Sequence, residues 1–317
     1  MANIFEDAAL NNKYSNETIE LLPTVPYNVK GLLTELPKIE SDKKGWPYTE
    51  ELNPSIYSFK SSWPKLTIIT PSYNQGAFIE QTIRSVLLQN YPNVEYIILD
   101  GGSTDQTIDI LWKYAPWISY WKSEKDGGQG AAINKGFKMA SGDFYAWINS
   151  DDYYLPSTLL KVITTFNNKK VDFVYGYSYN FNTKTNTFST LNKTAPILDY
   201  FLRFCTIAQP ACFWNANIHK PIWEELHCSL DYELWLRLVK GKSRKLIRQP
   251  LAVANVHINA KTHSSGMDSH WKSDHELICS IDAHGPVANW KLKSTLFRIY
   301  TRFSKLMAGT HISKFIK

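Results

Sequence analysis

Four short segments concentrate the residue types that could do chemistry: PSYNQG (71–76), DGGSTD (100–105), SEKDGGQG (123–130) and NSDD (149–152). Asp151 and Asp152 are adjacent carboxylates, which repel unless positive charge stands beside them. A divalent cation resolves this, because hard cations take carboxylate oxygens. The alternative is a helix cap, with Asp152 shortly ahead of Pro156; the convergence of the other three segments favours the cation. Asp100, before two glycines, can accept hydrogen bonds from a base or ribose, or stabilise a turn. Gly127, Gly128 and Gly130 permit close approach to a phosphate, with a following helix N-terminus aimed at it. No Walker sequence and no GxGxxG follows the first strand, so nucleotide hydrolysis and dinucleotide redox chemistry fit poorly.

The elements that must position these residues follow from periodicity. LTIIT (66–70) reads as a buried strand, and Ile79, Ile83, Val86 and Leu87 form the apolar stripe of a helix over 76–89. Strands are expected at 96–99, 118–122, 144–148 and 173–177. Helices are expected from a Ser103 or Thr104 cap to Tyr114, over 130–139, and from Pro156 to Phe166. This alternation predicts an α/β fold with a mostly parallel mixed sheet, and its ligand site lies beyond the carboxyl ends of the strands. All four segments fall there. Further on, 179–188 reads as a hairpin or long loop, 209–214 as a strand, 231–239 as a helix, 246–257 as strand-like, and 258–275 as a polar loop. Residues 1–64 read as an N-terminal arm packed through Trp46 and Trp63. Residues 65–260 are the body, with halves 65–177 and 178–260, and 261–317 a loop and basic helical tail.

Charge supports that division. From Gly285 to Lys317 there are seven Lys or Arg and no Asp or Glu, which leaves the rest of the chain at −1 of a net +6. A basic nucleic-acid-binding body is therefore disfavoured. Apolar and aromatic residues among the basic ones of the tail suit either an amphipathic helix on a membrane surface or one docked on the body. No apolar run is long enough to span a bilayer. The four Cys lack zinc spacings and read as reduced thiols, and the N-terminus lacks the features of a secretory signal. The expected location is cytoplasmic, with peripheral membrane association through the tail.

The runs TPSYNQGAFIEQTIRSVLLQNYPNVEYIILDGGSTDQT, SEKDGGQGAAINKGFKMASGD and WINSDD resemble family 2 glycosyltransferases, which have the Rossmann-like GT-A fold of nucleotide-diphospho-sugar transferases. The resemblance covers about residues 65–260 and extends to QPACFW and LDYELWLRL. It implies that Thr70, Pro71 and Tyr73 border the nucleobase, that Asp100 binds it, and that Asp126 faces the nucleotide and donor sugar. It sets Asn149-Ser150-Asp151 at the family's Asp-x-Asp motif, with Asp151 as metal ligand and Asp152 extending the acidic pair. Asp231 matches the general base, and His257 is a candidate third ligand, with His263 competing. Asn149 and Gly101 depart from the family pattern, each standing where an Asp is common; Ala131–Asn134 lacks an Arg that some relatives carry.

The resemblance implies an inverting transfer from a nucleotide-diphospho-sugar, UDP-linked by expectation, to a glycan or lipid-linked acceptor in cell-envelope polysaccharide synthesis. Asp231 would take the acceptor proton, and Mn²⁺ or Mg²⁺ would neutralise the leaving diphosphate. Its place at a helix start is expected to keep Asp231 ionised, and Glu233 is the lesser candidate for the base. Gln209, Pro210 and Trp214 are expected on the acceptor side, with Trp214 or Trp235 as candidates to stack on a sugar, although Trp235, on the apolar stripe of its helix, is better expected in the core. A sugar nucleotidyltransferase would need a Gly-rich, Arg-containing first loop, which PSYNQG is not. Asp151 together with Asp231 argues against a non-catalytic nucleotide- or sugar-binding protein.

Overall fold

The computed structural model describes residues 21–39, 42–192, 207–258, 260–261 and 267–280, and residues 292, 295, 296, 299, 300, 302 and 303 of the tail. Expectations for 1–20, for 193–206, for His263 and for the remainder of the tail lie outside the described residues.

The β-branched run at the start of the body forms β1 (Leu66–Ser72), and β2 (Val94–Asp100) pairs beside it in parallel. Every residue of both strands is buried, as a sheet covered on two faces requires. β3 (Tyr120–Ser123) and β4 (Phe144–Trp147) add in parallel on either side. The helices between them are α1 (Ile79–Leu87), α2 (Thr107–Tyr114) and α3 (Gln129–Met139). A two-residue strand β5 (Tyr153–Tyr154), helix α4 (Thr158–Lys169) and the long β6 (Phe173–Asn182) follow. β6 turns into β7 (Thr187–Asn192), so 179–188 forms a hairpin. β8 (Cys212–Asn215), α5 (Leu230–Val239), β9 (Arg244–Val256) and α6 (Asp268–Ser280) complete the described elements.

The sheet order is β3-β2-β1-β4-β8-β6-β9-β5, with β7 on β6. β8 enters antiparallel between β4 and β6, and β6 and β9 run parallel. Six of the nine strands (β1, β2, β3, β4, β6, β9) therefore point one way and three reverse. This is the mostly parallel mixed sheet that the alternation predicts. Because β8 is reversed, its amino end and the preceding Gln209–Ala211 turn lie at the carboxyl ends of its neighbours.

Three local expectations are corrected. The helix after β2 begins at Thr107, and Asp105 rather than Ser103 or Thr104 receives its N–H, with Asp105 Oδ1 3.0 Å from Thr107 N. Ser103 Oγ instead accepts from Asn74 N at 2.7 Å and ties the β2 loop to the β1 loop. α4 starts two residues after Pro156, because Ser157 is left-handed at φ +65°. The polar stretch 258–275 is not a loop throughout, since α6 begins at Asp268. Its Asp274 is buried and receives the N–H groups of His227, Cys228 and Ser229 at 2.6–3.2 Å, an anchor to the fold that hydrophobic periodicity does not register.

Residues 21–64 pack on the body. Val25, Leu32, Leu36, Tyr57 and Trp63 share one core with β1, β2 and α1. Val25 N donates to Val94 O at 2.8 Å, and Trp46 Nε1 to Tyr154 O at 2.7 Å. Buried Arg84 donates to the carbonyls of Pro37, Pro47 and Tyr48 and to Tyr114 Oη. Most of its donors are thus spent on carbonyls of the preceding segment.

Candidate active site

A cavity of about 910 Å³ opens at the carboxyl ends of the parallel strands. Its wall takes Pro71, Ser72 and Tyr73 from the β1 end, Gly101 and Gly102 from the β2 end, and Lys125, Asp126, Gly128 and Gln129 from the β3–α3 loop. Asn149–Asp152 come from the β4 end, Gln209 and Pro210 from before β8, and Leu230 and Asp231 from the start of α5. Asn255, Val256, Lys261 and Trp271 close the remaining side. Four separated sequence segments thus converge because parallel strands end together.

Tyr73 is 60% exposed on the wall. A Cβ on Gly101 would stand 3.3 Å from Asp126 Oδ2 and 3.4 Å from Tyr73 Cδ2. The absent side chain therefore lets these two groups approach, and a second Asp at that position would face Asp126. Asp126 Oδ1 accepts from Gly128 N at 2.8 Å. Gly128 has φ +97°, a left-handed conformation that favours glycine. It starts α3 with no side-chain cap, so the first-turn N–H groups of an 11-residue helix end at the cavity.

Two residues assigned to the nucleobase are not on the wall. Thr70 is fully buried, and its Oγ1 lies 3.2 Å from Tyr96 Oη. Asp100 is 2% exposed: Oδ2 accepts from Gly102 N, Ser103 N and Ser123 Oγ, and Oδ1 from Ser103 Oγ. Its oxygens hold the loop that forms the wall, the turn-stabilising alternative at this position. Ser150 lines the wall but is 3% exposed, and its carbonyl accepts from Thr82 Oγ1.

Asp151 and His257 meet, with Asp151 Oδ2 and His257 Nε2 3.1 Å apart. His257 follows β9 and is packed against Phe78, ring centroids 4.4 Å apart. Asn255 Nδ2 donates to Asp151 O at 2.6 Å. Asp152 reaches the wall but is buried, and its Oδ1 accepts from Asn255 N at 3.1 Å. Burial, then the charge of Asp151, push its carboxyl well above the usual range. Asp151 and His257 are the pair that could hold a divalent cation. Among the described residues no cluster of three or more His, Cys, Asp or Glu side chains is arranged for one, so a cation there would complete its shell from substrate and water.

Asn149 does not reproduce an acidic first position. Its Oδ1 accepts from Trp147 Nε1 at 3.1 Å and from Gln129 Nε2 at 2.9 Å, and its Nδ2 donates to Gln209 Oε1 at 3.4 Å. Gln209 Nε2 in turn donates to Trp147 O at 2.9 Å. The floor is thus an amide network, and the Asn149 side chain also hydrogen-bonds the buried Asp152 carboxyl. Gln129 Oε1 accepts from Lys261 Nζ at 2.9 Å, joining the segment after β9 to the start of α3.

Asp231 is the second residue of α5 and lines the cavity. Burial raises its carboxyl to about 6, although the N–H groups of the helix start oppose this. Desolvation outweighs the helix end that was expected to hold it low, and a carboxylate near 6 is a stronger base that is still mainly ionised at pH 7. Glu233 is buried in an ion pair with Arg237, hydrogen-bonded at 2.5 and 2.6 Å, which leaves Asp231 as the carboxylate of this helix on the cavity. Trp214 and Trp235 are buried in the core, and Trp214 Nε1 bonds His219 Nδ1. The stacking of Trp214 on a sugar is thereby corrected, and Trp235 takes the core position expected of it. The aromatic rings on the wall are those of Tyr73, Trp147 and Trp271. Neither Cys212, whose Sγ donates to Ala208 O at 3.3 Å, nor Cys228 is in a disulfide.

Sequence reasoning missed Lys261 and Trp271, which lie in the stretch read as a polar loop. It also missed Asn255, hidden in an apolar strand. Only proximity in the fold reveals them.

Comparison with known proteins agrees with this architecture. The family model Glycosyl transferase family 2 matches residues 67–219. An uncharacterised glycosyltransferase of Rickettsia typhi is 28% identical over 221 residues, 65% of this chain and 68% of that protein. A Bacillus subtilis protein, TuaG, named as a teichuronic acid biosynthesis glycosyltransferase, is 37% identical over 123 residues, 37% of this chain and 49% of its own. Among solved structures, S. aureus TarS residues 1–349 in complex with UDP-GlcNAc aligns with a TM-score of 0.59 at 20% identity, over 78% of this chain and 76% of that one. The strand order, the cavity and these matches lead to one assignment: residues 67–219 match glycosyltransferase family 2, and the chain has the GT-A fold.

Proposed function

We propose that this chain transfers a sugar from a UDP-linked donor to a hydroxyl of a cell-envelope glycan, with inversion at the anomeric carbon. The observation that carries the reading is Asp231, a buried carboxylate raised to about 6, on the wall of the cavity that Tyr73, Gly101 and Asp126 also line. A single general base and no second acid suffices when the leaving group is a diphosphate. The UDP donor is supported by the UDP-GlcNAc complex of TarS, and the envelope glycan by the name of TuaG.

In this reading the nucleoside lies against Pro71, Tyr73 and Asp126, with Asp100 and Thr70 supporting that wall from behind. Asp151 and His257 would hold a Mn²⁺ or Mg²⁺ ion, which when bound neutralises charge on the leaving group; Asp152 and Ser150 shape the loop beneath. Gln209 and Pro210 border the acceptor. The tail would rest on the cytoplasmic membrane surface near a lipid-linked acceptor. The exposed Leu292, Leu296, Ile299 and Phe303 support that reading, since they repeat at helical spacing. No helix of the described residues is long and apolar enough to cross a membrane.

The test uses a panel of UDP-sugars and reads release of UDP, including slow donor hydrolysis that needs no known acceptor. Asp231→Asn should retain UDP binding by calorimetry and lose about 10²–10⁴-fold in turnover. Undiminished turnover in that variant would remove the assigned base. UDP binding without turnover in the native protein, with any acceptor, would favour a binding protein.

A further inference from the structure

Lys261 occupies an unusual position for a charged group. Its Nζ donates to two neutral oxygens, Gln129 Oε1 at 2.9 Å and His227 O at 3.3 Å. Among the described residues no carboxylate lies within ion-pair distance of it; burial lowers its pKa from the usual lysine value, and the more distant charges of Asp274 and Asp151 oppose this. An ammonium carries three donors, so one remains after these two bonds. The side chain lines the cavity that Gln129 and Asp151 also line. Gln129 is the first residue of α3, whose N-terminus has neither a side-chain cap nor an acidic residue in its first turn. Ammonium and helix N–H groups are therefore gathered at one place, and Gln129, held at its other end by Asn149, fixes the ammonium there.

Meanwhile the conventional source of positive charge is thinly provided. Asn149 is neutral and spends its side chain on Trp147, Gln129 and Gln209. Asp152 is buried on Asn255. Asp151 and His257 remain for a cation. A diphosphate in the cavity thus meets few metal-holding groups and two lysines, Lys125 and Lys261, of which Lys261 is held in place by Gln129.

We propose that Lys261 binds the diphosphate of the donor directly and carries part of the charge neutralisation on the leaving group, together with the N-terminus of α3. This rests on the donor-site reading above. During transfer the acceptor oxygen bonds the anomeric carbon as the bond from that carbon to the β-phosphate oxygen breaks. The electron pair of the broken bond stays on the diphosphate, beside Lys261, and the acceptor proton passes to Asp231. A cation fixed in advance stabilises the developing charge without reorganisation at the moment of reaction.

Calorimetry with UDP and with uridine, on the native protein and on Lys261→Gln and Lys261→Arg, each in EDTA and in Mn²⁺, tests this. Gln can still donate to Gln129, so folding should persist, checked by an unchanged Tm. The native protein should bind UDP in EDTA. Lys261→Gln should weaken UDP by about 10–100-fold there, the scale of one charge-assisted hydrogen bond. Uridine affinity should not change, and Lys261→Arg should recover most of the loss. Equal UDP affinity in the native protein and Lys261→Gln, in both conditions, would overturn the role of Lys261 while leaving the donor site intact. Failure of the native protein to bind UDP or GDP, with or without Mn²⁺, would instead overturn the donor-site reading and this inference with it.

Discussion

At the residue scale, Asp231 makes two predictions of opposite character. As a base it must be ionised, so turnover should rise with pH through about 6 and level off above; a rate independent of pH from 5 to 8 would contradict the assignment. For stability, the folded-state carboxyl titrates above its ordinary 3.8, so ionisation opposes folding as pH rises between the two values. Asp231→Asn should therefore raise Tm at pH 8 by roughly 2–4 °C, a gain of about 1 kcal/mol, and the gain should vanish below about pH 4. Gly101 supplies a separate test. Gly101→Asp would set a carboxylate against Asp126 and Tyr73. UDP affinity should fall at least about tenfold through repulsion and lost space, and titration of the variant measures it. Legibility at this scale divides by what a residue does. Asp126, Asp151 and Asp231 sit where strands or helices visibly begin or end, and the structure brings them to one cavity. Asp100 is just as visible, but whether a carboxylate faces a ligand or its own loop depends on donors from Ser103 and Ser123, which no local pattern discloses.

At the element scale, α5 carries Asp231 and is secured from outside by α6. Asp274 of α6 receives three successive N–H groups, from His227, Cys228 and Ser229, directly before α5 begins. Those donors would otherwise be partly buried without partners, and bonds to a charged acceptor are strong ones. Asp274→Ala should cost about 2–4 kcal/mol in urea unfolding and, by loosening the start of α5, lower turnover more than UDP affinity. A stability loss under about 0.5 kcal/mol would mean that solvent replaces the carboxylate. The element reading succeeded where apolar periodicity is strong: β1, β2, α1 and α3 appear within a few residues of expectation. It failed for α6, whose sequence DSHWKSDHELICS is mostly polar. That helix is held by one buried acid and a few contacts such as Ile278 rather than by an apolar stripe. The insertion of β8 between β4 and β6 was equally hidden, because strand order is a long-range property that alternation along the chain does not encode.

At the scale of the whole molecule, the two ends of the chain have different relations to the body. Residues 21–64 contribute Val25, Leu32, Leu36, Tyr57 and Trp63 to the core beside β1 and β2. By contrast, the described tail residues Leu292, Leu296, Ile299 and Phe303 are 53–62% exposed. On a helix, positions i, i+4, i+7 and i+11 fall on one face, so these four make an apolar stripe open to solvent. Exposure of that much aliphatic and aromatic surface is unfavourable in water unless another surface covers it. The sequence around it is wholly basic in its charged residues from Gly285 onward, which matches an anionic lipid surface, each Lys or Arg near such a surface contributing about 1 kcal/mol. The chain should therefore sediment with vesicles containing phosphatidylglycerol and not with neutral phosphatidylcholine vesicles. Replacing Leu296, Ile299 and Phe303 with Ser should abolish sedimentation while slow donor hydrolysis in solution continues. Replacing Lys291, Lys293, Arg298 and Arg302 with Gln should reduce it and remove its salt sensitivity. Equal sedimentation of the native protein and both variants would show that the stripe does not meet lipid. Sedimentation lost together with donor hydrolysis would instead mean that the tail supports the fold of the catalytic body.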